Sequence, residues 1–145
     1  MPAIVVRKYR GTAILRRGVL KPAAAAAWFE RLEKTLPWHV RKIHGNVDRT
    51  IWDGTVANKV TPEAGEAVGE LKEQLEAALD LELGPDSFGN HYRTAADRTF
   101  WHLDHDINPG DVIHVVSFGG ARMLTFVDLV TQESYDFEVG DGDVV

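Results

Sequence analysis

His102 and Asp104 stand two residues apart, an imidazole and a carboxylate separated by Leu103. Side chains on extended backbone alternate with period two, so on a strand this pair points one way. One imidazole and one carboxylate supply two of the three donors of a two-histidine, one-carboxylate iron site. Asp106 follows with the same parity, and Asn90 and Tyr92 share a strand face shortly upstream. Asp104, Asp106 and Asp111 crowd carboxylates near one loop. Their mutual repulsion is relieved either by a bound cation or by water and salt, and both readings stand. A His-x-Asp pair is weak by itself, because a chain with 6 histidines and 22 acidic residues supplies one readily by chance.

A third donor is harder to find. His114 lies in the apolar run Val112 to Phe118, where a structural, half-buried role is the simpler reading. On extended backbone His105 points away from the His102–Asp104 pair, and His91 points away from Asn90 and Tyr92. His39 and His44 sit in a stretch without clear periodicity and stay open as donors.

The elements that must position these residues fall into three stretches. Ile4 to Leu20 suggests one or two short strands, or an extended arm, around Arg10-Gly11-Thr12. Lys21 to Leu36 reads as a helix: Pro22 suits the first turn, an alanine run follows, and Trp28, Leu32 and Leu36 recur at helical spacing before Pro37. From Trp38 to Lys59 no period emerges. Gly45-Asn46 and Asp53-Gly54 mark turns there, so the stretch is either a lid over a substrate or irregular packing. A second helix opens at Thr61-Pro62, with Ala64, Ala67, Val68, Leu71, Leu75, Ala78 and Leu79 as its apolar stripe, and ends by Gly84-Pro85. Its glutamates explain much of the acidic surplus as a solvated face. Beyond Pro85 the texture is strand-like. Val112 to Phe118 reads as a buried run, Met123 to Val130 and Glu133 to Val139 as a hairpin around Thr131-Gln132, and Val144-Val145 as the start of another strand. Two helices followed by many antiparallel strands argue an α+β domain with the helices buttressing a sandwich or jelly roll.

At the level of motifs, Asn90-His-Tyr92-Arg93, then Trp101-His102-Leu-Asp104-His-Asp106, then Ser117-Phe118-Gly119-Gly-Ala-Arg122 resembles the core of the AlkB-like iron(II)- and 2-oxoglutarate-dependent dioxygenases. Order and spacing agree over residues 88–122, and the helix ending at Leu36-Pro37-Trp38 is more loosely similar to the family's N-terminal helix. The resemblance implies a double-stranded β-helix (jelly roll) over 1–145, buttressed by two N-terminal helices, as a single domain. It implies Fe(2+) held by His102 and Asp104, 2-oxoglutarate held by Asn90 and Tyr92, and Asp106 facing the substrate base. Members oxidise N-methyl groups on nucleobases, so alkylated DNA or RNA, single- or double-stranded, is the implied partner. The family's second histidine and its carboxylate-clamping arginines lie further along than Val145. The chain is therefore expected to be an incomplete domain truncated at its C-terminus, and an inactive binding module is an alternative.

Composition bounds these readings. The absence of cysteine excludes disulfides, zinc–thiolate sites and thiol catalysis. Ile4-Val5-Val6 is broken at once by Arg7 and Lys8, and no run reaches transmembrane length, so no membrane partner and a cytoplasmic location are expected. A net charge of −6 hides an asymmetry: residues 1–50 carry 11 Lys or Arg against 3 acids, the remainder 5 against 19. The basic half offers phosphate contacts, or merely balances the acidic half. The overall acidity favours a protein or small-molecule substrate for the same chemistry. Trp101 reads as a packing residue behind the metal strand. Trp52 is the better candidate for stacking on a flipped base, and Arg122 for a structural or substrate-orienting ion pair. No G-x-S-x-G and no phosphate loop is present.

Overall fold

A computed structural model of the chain describes residues 4–8, 11–43, 47–104 and 111–145. It is a mixed α+β structure with two α-helices and small antiparallel sheets among the described residues. The chain divides into two compact units, one formed by residues 1–30, 77–80 and 112–145, the other by 31–76 and 81–111. No helix is long and apolar enough to cross a membrane among the described residues.

In the first unit, β1 (Ile4–Lys8) pairs antiparallel with β2 (Gly11–Leu15), in register Ile4↔Leu15 to Lys8↔Gly11. Strands β6 (Arg122–Val127) and β7 (Ser134–Val139) form the expected hairpin, Arg122↔Val139 to Val127↔Ser134. Its turn is built by Asp128, whose carboxylate accepts the N–H groups of Val130 and Thr131 at 2.8 and 3.0 Å, while Gln132 takes a positive φ of 61°. Alternation then puts Phe137 and Val139 inward, where they pack with Leu15 and, around them, Ala13, Leu124 and Val145.

The expected unfinished strand at Val144 is central to this unit. Arg16 and Val144 exchange backbone bonds of 2.8 and 3.0 Å on one side, and Val115 and Val145 exchange bonds of 2.8 and 2.9 Å on the other. Among the described residues Val112 to Phe118 pairs over its second half, and Val112 is 74% exposed, which corrects the reading of a wholly buried run. Asp143 closes the turn before this segment. Its buried carboxylate accepts Gly18 N–H, Gly140 N–H and an Arg17 guanidinium N–H, each at 2.8 Å. Gly142 must be glycine: its φ is +82°, and a Cβ would sit 2.5 Å from the Leu20 carbonyl oxygen.

In the second unit, the stretch without periodicity proves to be a hairpin, β3 (His39–Ile43) and β4 (Val47–Asp53), with β5 (Phe88–His91) added to β4. Helix α1 (Pro22–Thr35) ends in this unit, and Leu36, Trp52 and Ala64 form its core with Leu32, Trp38 and Val68. Helix α2 (Pro62–Leu79) starts where expected. The Thr61 hydroxyl accepts Ala64 N–H at 3.1 Å, the N-cap geometry. Its end differs from expectation. Asp80 adopts φ 54° and Leu81 N–H reaches back to the Glu76 carbonyl at 3.3 Å, closing the helix before Gly84 is reached.

Candidate metal centre

Strand β5 carries Asn90, and the chain leaves it through Tyr92 into a turn organised by Asp97. That carboxylate accepts Arg93 N–H at 2.7 Å and Thr94 N–H at 3.3 Å, folding 93–98 back so that the Tyr92 and Thr99 hydroxyls meet at 2.9 Å. The segment that follows has no regular pairing at His102 and Asp104, unlike the strand anticipated, yet the two side chains do converge. His102 Nε2 lies 3.4 Å from Asp104 Oδ1.

The protonation of that histidine follows from its other nitrogen. Nδ1 lies 2.8 Å from the Phe100 carbonyl oxygen, which can only accept, so Nδ1 carries the hydrogen and donates it. Nε2 is thereby turned toward the Asp104 carboxylate oxygen. Backbone fixation of the distal nitrogen is how metal-binding histidines are oriented. One imidazole nitrogen and one carboxylate oxygen suit iron(II) as two of its ligands. Among the described residues no group of three His, Cys, Asp or Glu comes close enough to hold a metal ion. Asp106 and His105 lie outside the described residues.

Arg49 belongs beside this pair and was missed in the sequence. The register Thr50↔His91 puts Arg49 level with Tyr92, one step past the last β4–β5 pair, and on the face of Ile51 and Asn90. Its Nη2 donates to Asn90 Oδ1, while its buried Nε has no hydrogen-bond partner among the described residues. Burial pushes the guanidinium below its ordinary pKa, opposed by the Tyr92 hydroxyl and the Asp104 carboxylate. Across β3, Arg41 stands directly opposite Arg49 and His39 opposite Ile51; His39 Nδ1 is also buried without a hydrogen-bond partner among the described residues. At the far end of this face the Thr55 hydroxyl and N–H hold the Asp53 carboxyl below its ordinary value, with help from Arg41 and His39. The signal available in sequence was parity: Arg49 alternates with Ile51, so a strand that buries Ile51 draws Arg49 inward.

Other expectations are corrected or relocated. Trp52 is 3% exposed and its indole donates to the Lys59 carbonyl at 2.7 Å, so the ring belongs to the core and not over a base. Its edge borders a cleft of about 250 Å³ with Val60, Val68 and Lys72; none of Asn90, Tyr92, His102 and Asp104 lines it. Trp101, expected to pack, is 68% exposed. His91 turns to the opposite face from Asn90, against Trp38 at 5.2 Å between ring centroids and 3.7 Å from Glu33. Arg122 opens β6 opposite Val139 in the other unit. The structure thus brings His102 to Asp104 and Asn90 to Arg49. No protein-family model, no curated protein and no solved structure matches this chain.

Proposed function

We propose that this chain carries the core of an AlkB-like iron(II)- and 2-oxoglutarate-dependent dioxygenase, a double-stranded β-helix buttressed by two helices, that demethylates alkylated nucleobases in DNA or RNA. The observation that carries the reading is the His102–Asp104 pair, with Nδ1 tied to a carbonyl and Nε2 turned to the carboxylate at 3.4 Å. His102 and Asp104 would hold the iron, whose chemistry with oxygen and 2-oxoglutarate hydroxylates an N-methyl group, releasing succinate, carbon dioxide and finally formaldehyde. Asn90 and Tyr92 would orient the co-substrate, and Asp106 the base.

The test is succinate release from 2-oxoglutarate by the 145-residue chain with iron and ascorbate, with and without methylated single-stranded DNA. Turnover abolished by His102→Ala is the expected result; none in either protein rejects the reading. The net charge of −6 favours a second reading, the same chemistry on a protein or small molecule. DNA binding that weakens steeply with salt separates the first from the second.

A further inference from the structure

The apolar face of the first unit extends beyond the residues that cover it. Val115 and Val145 exchange both backbone hydrogen bonds, so they stand directly opposite and their side chains share a face. Val145 packs on the Leu15, Phe137 and Val139 core, and alternation brings Ile113 to the same side as Val115. In the hairpin, Phe126 shares its parity with Leu124, stands opposite Tyr135, and meets the Phe137 ring edge-on at 5.8 Å between centroids. These are inward positions, yet Ile113, Val115 and Phe126 are 44%, 40% and 39% exposed. At the hairpin tip Leu129 and Val130 are more exposed still, on the turn that the Asp128 carboxylate holds. Among the described residues β6 pairs with β7 alone, which leaves its other edge open. An apolar face beside an open strand edge is a surface built for association.

The charges around this face select the partner. Arg122, which opens β6, is the one lysine or arginine between residues 112 and 145; the acids after it are Asp128, Glu133, Asp136, Glu138, Asp141 and Asp143. Asp128 and Glu133 flank the turn, at the opposite end of the hairpin from Arg122. Two such hairpins laid antiparallel about a two-fold axis bring the Arg122 end of each to the acidic turn of the other. We infer that this face is the contact between two copies of the chain, with Ile113, Val115 and Phe126 in its apolar centre and Arg122 of each copy against Glu133 of the other. Glu133 is assigned in preference to Asp128 because the Asp128 carboxylate shapes the turn itself. Glu133 accepts the Tyr135 hydroxyl at Oε2, and a carboxylate has room for further donors.

Sedimentation velocity of the full chain between roughly 1 and 200 µM, without metal or co-substrate, tests this. The wild type is expected to pass from monomer to dimer and to stop there, since a two-fold contact closes on itself. Ile113→Glu should abolish the dimer across that range by placing an unpaired charge in the apolar centre. Arg122→Glu and Glu133→Arg should each weaken dimerisation by about 10-fold or more, because each sets like charges together at both ends of the contact. Mixing these two variants should restore a 1:1 dimer, as each supplies the charge that the other requires. Such complementation does not arise from misfolding, so it decides the matter even where Ile113→Glu fails to fold. A wild type that stays monomeric overturns the inference, as do reversal variants that fail to complement each other. A dimer left unchanged by all three substitutions lies on another surface and overturns it too. Growth past the dimer means open-ended pairing of strand edges in place of a closed pair, and likewise overturns it.

Discussion

Among the described residues each unit buries one charged group, and the two are served very differently. Asp143 in the first unit accepts three hydrogen bonds from Gly18, Gly140 and Arg17. Burial pushes its carboxyl up, but those bonds outweigh it and hold the group below its ordinary value. Arg49 in the second unit makes a side-chain bond to Asn90, its Nε has no hydrogen-bond partner among the described residues, and burial lowers its pKa against the opposing pull of Tyr92 and Asp104. A buried charge whose partners are complete serves the architecture: here it ties a glycine turn and the last strand to Arg17. A buried charge with partners missing is stable only in a fold that tolerates it, and such sites gather where ligands bind.

Breaking the complete site should have the largest effect. Asp143→Ala strands three donors and is expected to lower the unfolding free energy by about 3 kcal/mol, allowing for the solvent that reaches Arg17. Urea denaturation reads it; a loss below about 1 kcal/mol would mean the turn holds without the carboxylate. The pH dependence has a definite sign. Because the folded pKa is lowered, the stabilisation is present above the unfolded value near ~4 and is lost as pH falls through the folded one. Asp143→Asn should therefore flatten the acid limb of a melting-temperature profile.

On the other side, if the proposed iron reading holds, His102→Ala should cut succinate release by at least ~100-fold while leaving stability within about 0.5 kcal/mol because the residue is exposed. A large loss of stability with turnover retained would make His102 structural. Thr61→Ala removes the α2 N-cap and should destabilise by about 1 kcal/mol in thermal or urea unfolding. Trp101→Ala should change stability by no more than about 0.5 kcal/mol, whereas a packed tryptophan would cost about 3–5 kcal/mol.

Much of the secondary structure was legible. The alanine-rich helix after Pro22, the Thr61 cap with its apolar stripe, and the hairpin around Thr131-Gln132 all carry local signals: spacing, a cap, a turn. The β3–β4 hairpin was not, since His39, Arg41 and Lys42 leave β3 without an apolar face, and its pairing depends on Val47–Asp53. The tryptophans exchanged roles for a related reason. Trp52 is in the core and Trp101, expected to pack, is exposed, because sequence assigns a side chain its parity but not which face will be covered.

Of the candidate site, the sequence alone determined the His102–Asp104 spacing and the pairing of Asn90 with Tyr92 on one side of a strand, because period-two alternation is a property of the backbone. Only the tertiary structure decided that Phe100 sets the tautomer of His102, and that Arg49, far from Asn90 along the chain, lies against it. Those contacts arise from strand register and from the fold of the 93–104 segment. The register is fixed by packing between distant stretches of chain, whereas the 93–104 fold rests on the Asp97 turn and the Tyr92–Thr99 contact.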